Sequence, residues 1–177
     1  MKQLLILSLP FLLVACNGSK STLQAEASNE ETPKTIEKDT TPRVTGIGGI
    51  FFFDENSDSL MEWYGENLGL AINPYGSPFE FRNANNPDEV NFLQWSVHGS
   101  TDYFKPSEKD FMINYRVYNI EALVKKLEGN GVQMLDTITN YPDYGKFVHF
   151  MDPGGNKIEL WEASDEDLDQ MDTKTTK

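Results

Sequence analysis

The side chains able to do chemistry are few. His98 and His149 are the two histidines of the chain, and Cys16 is its one cysteine. His149 falls in a β-rich run, residues 146–151, and Glu159 in the next, residues 157–161. Successive side chains along a strand point to opposite faces. Glu159 is therefore set against Ile158 and Leu160, and His149 against Phe150. If the apolar set packs on a helix, His149 comes near Glu159. A histidine beside a carboxylate suits general acid/base work, because its reference pKa is about 6.5. In residues 111–117 the apolar set is Ile113, Tyr115 and Val117, which leaves Met112, Asn114 and Arg116 on the other face. Asn114 and Arg116 suit an anionic or polar small molecule. In residues 90–97 the packed set is Leu93, Trp95 and Val97, which leaves Phe92, Gln94 and Ser96. Phe51, Phe53, Phe92 and Trp161 share the face of these polar groups and would line a pocket with aromatic rings.

Each of these residues also has a plain structural reading. His149 can be packed and hydrogen-bonded in a sheet, and His98, beside Gly99, can be a loop residue. Glu159 can pair with Arg116 or a tyrosine, and Arg116 can sit at a rim in an ion pair. The rings can fill the space rather than line it.

The elements that must position these groups are legible as a repeat. Residues 47–53 form a β-rich run closed by turn residues 54–57. Leu60, Met61, Trp63, Tyr64 and Leu68 recur at helical spacing, with Ser57 as the predicted N-cap and Gly69 as the stop. Strands are predicted at 70–74, 78–82 and 90–97. The order then recurs. A strand at 111–117 precedes a helical stripe of Ile120, Leu123, Val124 and Leu127, closed by Gly129-Asn130-Gly131. Strands are predicted again at 132–139, 146–151 and 157–161, the last two joined by the turn Asp152-Pro153-Gly154-Gly155-Asn156. Residues 100–110 link the halves.

Tandem strand-helix-strand-strand-strand modules of this kind resemble the glyoxalase, bleomycin-resistance and extradiol-dioxygenase superfamily, whose fold is called vicinal oxygen chelate. The stretches that carry the resemblance are Trp63-Tyr64 with Leu68-Gly69-Leu70, the strand and stripe over 111–127, and above all Asp152-Pro153-Gly154-Gly155-Asn156-Lys157-Ile158-Glu159-Leu160-Trp161. It implies an α+β fold of two βαβββ modules forming a cupped mixed sheet over residues 44–163, with helices outside and a cavity within. The fold hosts many chemistries and some plain binders.

The resemblance also implies one divalent metal, held from the first and last strands of each module by a His, then Glu, Gln or His, then a His, then a Glu. The matching positions here are Gly49, Gln94, Met112 and Glu159. Glycine offers no ligand, and a thioether is a poor one for the metals these enzymes use. Gln94 and Glu159 remain, short of the about three protein ligands typical of a catalytic zinc. The expectation is a small-molecule binder with no cofactor and no metal in the usual place. The alternative is a lyase or dioxygenase whose divalent metal uses Glu159, Gln94 and a histidine, His149 or His98. Related modules also pair between chains, so a homodimer is among the expected states. An interaction module of the cell envelope with a filled cavity is a third reading.

The first residues set the address. Met1-Lys2 is charged and 4–13 is an apolar run interrupted by Ser8 and Pro10, too short to cross a bilayer that needs roughly 20 apolar residues. This is the pattern of a signal peptide, residues 1–15. Leu13-Val14-Ala15-Cys16 resembles the lipobox of bacterial lipoproteins, which implies cleavage before Cys16 and its acylation. The expected site is the cell envelope, on the periplasmic or exterior side, with the lipid bilayer as partner. Residues 16–43 are polar and read as a tether with a reach on the order of 30 Å. Residues 164–177 read as an acidic, disordered tail. A formal net charge of −13 argues against nucleic acid as a partner.

Overall fold

A computed structural model describes residues 40–84, 86–164 and 175–176. The leader, Cys16, the tether up to residue 39 and the acidic run at 165–172 lie outside the described residues.

Among the described residues seven strands and two helices follow one another as β1 (Arg43–Phe53), α1 (Ser57–Leu68), β2 (Ser77–Asn83), β3 (Asn86–His98), β4 (Phe111–Tyr118), α2 (Ile120–Gly129), β5 (Thr139–Tyr141), β6 (Gly145–Met151) and β7 (Lys157–Ala163). The strands form one mixed sheet in the order β2-β3-β1-β4-β7-β6-β5. The repeat read from the sequence governs the pairing. β1 runs parallel to β3 as β4 runs parallel to β7, and β2–β3 is antiparallel as β6–β7 is. The two halves join where β1 meets β4 antiparallel. The α+β expectation holds.

The outer face of the second half is a core of Val117, Ile120, Leu123, Val148, Ile158 and Leu160, with Tyr115 packed against it. The alternation in β4 and β7 thus delivers one face to α2, and burying each such side chain stabilises the fold by about 1.5–3 kcal/mol. Asn119 starts α2, its side chain accepting from the Ala122 N–H at 3.3 Å. α1 buries no residue fully and leans on β3 through Tyr64 and Trp95, whose ring centroids are 4.7 Å apart. Gly69 ends α1 at φ +74°, the left-handed conformation that glycine adopts freely.

Three local expectations are corrected. The N-cap of α1 is Asn56, one residue before Ser57, and it makes no side-chain capping bond. Residues 70–74 are not a strand. A tight turn closes there through paired bonds between Asn73 and Gly76 (2.8 and 3.0 Å), and the Asn73 side chain accepts from the Tyr75 N–H. Residues 132–138 form only a bridge, Met134 to Phe150, before the short β5. Beyond the acidic run, Thr176 pairs with Phe79 on the outer edge of β2.

Candidate functional site

Strand register assembles the site. In the antiparallel β6–β7 pair His149 lies directly opposite Glu159, and in the parallel β4–β7 pair Glu159 lies beside Asn114. Asn114 in turn pairs with Gly49, and Gly49 with Gln94. Gln94, Gly49, Asn114, Glu159 and His149 therefore form one row across five strands. The next row holds Arg116, Trp161 and Phe147. Gln94, Asn114, Glu159 and His149 of the first row and Trp161 and Phe147 of the second lie along a cavity of about 670 Å³.

Glu159 is the hub. It is 3 % exposed, and both of its oxygens are engaged. Oε1 accepts from the Tyr103 hydroxyl at 2.7 Å and lies 2.7 Å from His149 Nε2, while Oε2 accepts from Asn114 Nδ2. On its other side His149 Nδ1 is 2.6 Å from Asp136 Oδ2, and its backbone N–H donates to Asp136 Oδ1 at 2.8 Å. Burial works against a charge on His149, but its bonds to Glu159 and Asp136 outweigh it and raise the imidazole pKa above its ordinary value. Burial and the Glu159 charge together push the Tyr103 hydroxyl pKa far up, so Tyr103 is a donor at any ordinary pH. The arrangement is a buried carboxylate held by three neighbours, with a histidine bridging it to a second carboxylate at the cavity wall.

The walls are aromatic. Phe51, Tyr75, Phe92, Tyr103, Tyr141, Tyr144, Phe147 and Trp161 all line the space. Phe147 and Trp161 stack nearly parallel, with centroids 5.8 Å apart, and Trp161 Nε1 donates to the Tyr144 carbonyl at 2.6 Å. Of the residues read from the sequence, Gln94, Asn114, His149, Glu159, Phe51, Phe92 and Trp161 meet here, and the rings leave the space open.

Others do not. Phe53 packs at the edge of a small core of Phe51, Phe104 and Met112 and is not on the wall. Arg116 is buried and does not line the cavity; its guanidinium lies over the Trp161 ring at 4.8 Å. Met112 is fully buried in that same small core, and the row through Glu159 crosses β4 at Asn114 instead. In β1 the irregular register between Ile47 and Gly49 turns Gly48 to the cavity. His98 ends β3 and stacks on Tyr103 with centroids 4.7 Å apart, rather than lying in a loop.

Tyr103 and Asp136 were missed. Tyr103 sits in a short 3₁₀ turn, Asp102–Phe104, within the linker between the halves, which shows no period to read. Its one signal is an aromatic pair, Tyr103-Phe104, in an otherwise polar stretch. Asp136 falls in a segment read as strand.

These positions do not fit the metal centre that the resemblance implies. The row offers one glycine, two amides, one carboxylate and one histidine. The Gln94 amide donates to the Tyr75 carbonyl at 2.9 Å, and the Glu159 oxygens are taken. His149 has a carboxylate at each ring nitrogen, so its donors diverge rather than converge. Among the described residues no group of three or more His, Cys, Asp or Glu side chains could hold a metal ion.

Comparison with known proteins gives the same frame. A sequence model described as Glyoxalase/Bleomycin resistance protein/Dioxygenase superfamily matches residues 46–160. Among solved structures, a Streptomyces coelicolor methylmalonyl-CoA epimerase in complex with 2-nitronate-propionyl-CoA is 14 % identical, with a TM-score of 0.52, over 69 % of this chain and 99 % of that one. A methylmalonyl-CoA epimerase from Mycobacterium tuberculosis is 21 % identical, with a TM-score of 0.44, over 68 % and 89 %. The Mn(II)-bound glyoxalase from Novosphingobium aromaticivorans is 15 % identical, with a TM-score of 0.43, over 69 % and 40 %. No curated protein sequence matches this chain. At these identities the structural likeness speaks for the fold alone.

Proposed function

Because the chain belongs to the glyoxalase, bleomycin-resistance protein and dioxygenase superfamily, we propose that it is a small-molecule-binding member of it, working without the metal centre of its enzymes. One observation carries the reading. An aromatic cavity of about 670 Å³, within the usual range for ligand sites, has a floor whose one buried carboxylate is occupied by Tyr103, His149 and Asn114. We further propose that acylated Cys16 holds the protein at a bacterial membrane, in the cell envelope, with the tether carrying the domain off the surface. Among the described residues no helix is long and apolar enough to cross a membrane.

Titration of the purified protein with Mn, Fe, Ni and Zn, one at a time and again with Glu159→Ala, tests the binding reading. The expected result is no stoichiometric binding that depends on Glu159. Stoichiometric binding abolished by the substitution would instead establish the alternative, a glyoxalase-like lyase or dioxygenase with a rearranged site, and 2-oxoaldehyde and catechol substrates would follow. The buried His149–Glu159 contact favours that alternative, since it is a ready acid/base pair. For the anchor, Cys16→Ser should move the protein from the detergent phase to the aqueous phase in a phase-partition assay.

A further inference from the structure

We propose that the cavity selects a flat aromatic cation and rejects anions of the same shape; this deepens the binding reading above and rests on it. The sequence allowed an anionic or a polar ligand at Arg116 and Asn114. Three features of the wall speak against the anion.

First, among the described residues no lysine or arginine lines the cavity. Two cations lie close to wall residues without lining the cavity, and the Lys157 ammonium is within electrostatic reach of Glu159 and Asp136. Arg116 lies over Trp161, and Lys157 donates to the Tyr103 carbonyl at 2.8 Å with its ammonium 5.2 Å from the Tyr103 ring centroid. Second, the wall carries two carboxylates, Asp136 and Glu159, against one histidine. With the imidazole protonated the trio keeps one net negative charge, and with it neutral, two. Third, Asn114 is 2 % exposed, lines the cavity, and its Oδ1 has no hydrogen-bond partner among the described residues. It is a buried acceptor beside the bare backbone of Gly48, and such a group is costly unless something positive or a donor meets it.

The rings supply the rest of the selectivity. The face of an aromatic ring is the negative part of its quadrupole, so it attracts a cation and repels an anion. Tyr141, Phe147 and Trp161 form a continuous panel along one wall, Tyr141 set edge-on to Phe147 and Phe147 stacked on Trp161. A planar ligand gains apolar contact on that panel whatever its charge. Its charge then decides between attraction to the carboxylates and repulsion from them.

Three probes of nearly one shape separate these contributions: N-methylquinolinium, neutral quinoline and a quinoline carboxylate, each titrated into the purified full chain at neutral pH by calorimetry. The expected order is cation, then neutral, then anion, with the cation at least about tenfold tighter than the anion, a difference within reach of one desolvated cation–π contact and a nearby carboxylate. Asp136→Asn should narrow the gap between cation and anion, and Tyr141→Ala should weaken all three. Equal affinities, or an anion that binds best, would overturn the charge selectivity while leaving a binding cavity. If none of the three binds, the binding reading falls with it. The wild-type order needs no variant, so a substitution that fails to fold does not spoil the test.

Discussion

At the scale of single residues, the two histidines have opposite electrostatic surroundings. His98 loses solvation on burial, which lowers its pKa against a smaller pull from Glu159. The His149 pKa is raised. An unfolded histidine titrates at about 6.5. Below that value the unfolded chain takes up the proton that folded His98 refuses, so the His98 contribution to stability falls as pH drops. Above it, folded His149 keeps a proton the unfolded chain has lost, so the His149 contribution is full below about 6.5 and is lost as pH rises through its folded pKa. Denaturant unfolding across this range should therefore show a stability maximum near the pH where the two trends meet. His149→Gln should flatten the alkaline side. Glu159→Gln removes the largest pull that raises the His149 pKa and leaves its burial, so the imidazole pKa, followed by NMR titration, should fall. A pKa that stays put would mean that Asp136 alone holds the proton. How far these residues were legible is also decided here. Glu159 and His149 were placed by simple alternation. Their partners Tyr103 and Asp136 were not: Tyr103 comes from an aperiodic linker, and Asp136 from a segment with strand-like residues that forms only a bridge.

At the scale of elements, alternation served where a strand is regular and failed where it is not. β4 and β7 present Val117, Ile158 and Leu160 to α2 and Asn114 and Glu159 to the cavity, as their patterns dictate. β1 breaks register between Val44 and Gly46 and again between Ile47 and Gly49, and a one-residue slip exchanges faces. No hydrophobic pattern could announce that in a run containing three glycines. The close approach there is demanding. A Cβ on Gly48 would stand 2.8 Å from Trp161 Cε3 and 2.9 Å from Arg116 Cγ, as well as against Asn114 Oδ1. Gly48→Ala should cost about 1–3 kcal/mol by overpacking and shift the Trp161 fluorescence, read in a urea titration. The segments 70–74 and 132–138 misled for a different reason. Each has strand-like residues, but each spends its backbone groups on a turn or a single bridge, which composition does not encode.

At the scale of the molecule, the two halves share one sheet rather than facing each other as separate bodies. Their central seam, β1 against β4, is antiparallel along most of both strands. Neither half can open without baring that seam, so unfolding should be a single transition. Far-UV circular dichroism and the fluorescence of the tryptophans, Trp63 and Trp95 in the first half and Trp161 in the second, should give coincident curves, and separated midpoints would show independent modules. The repeat made this architecture readable in advance, because both halves announce the same order of elements. Its cavity chemistry was less readable, since the charge a wall presents depends on which side chains reach it, and Arg116 is engaged with the Trp161 ring instead.

A sheet that is open at both ends has two rims where a neighbouring molecule could continue the hydrogen-bond ladder. Here one rim, β5, is only the three residues Thr139–Tyr141. The other is capped from within. Thr176 donates its backbone N–H to the Pro78 carbonyl at 2.8 Å, and its hydroxyl accepts from the Ala71 N–H at 2.7 Å and meets Ser77 Oγ at 2.8 Å. Short or covered edges are how β proteins resist stacking into fibrils. Removing residues 175–177 should leave ligand binding largely intact but make concentrated, agitated solutions turn thioflavin-positive, because the stretch of β2 that Thr176 covers would become a template for the next chain.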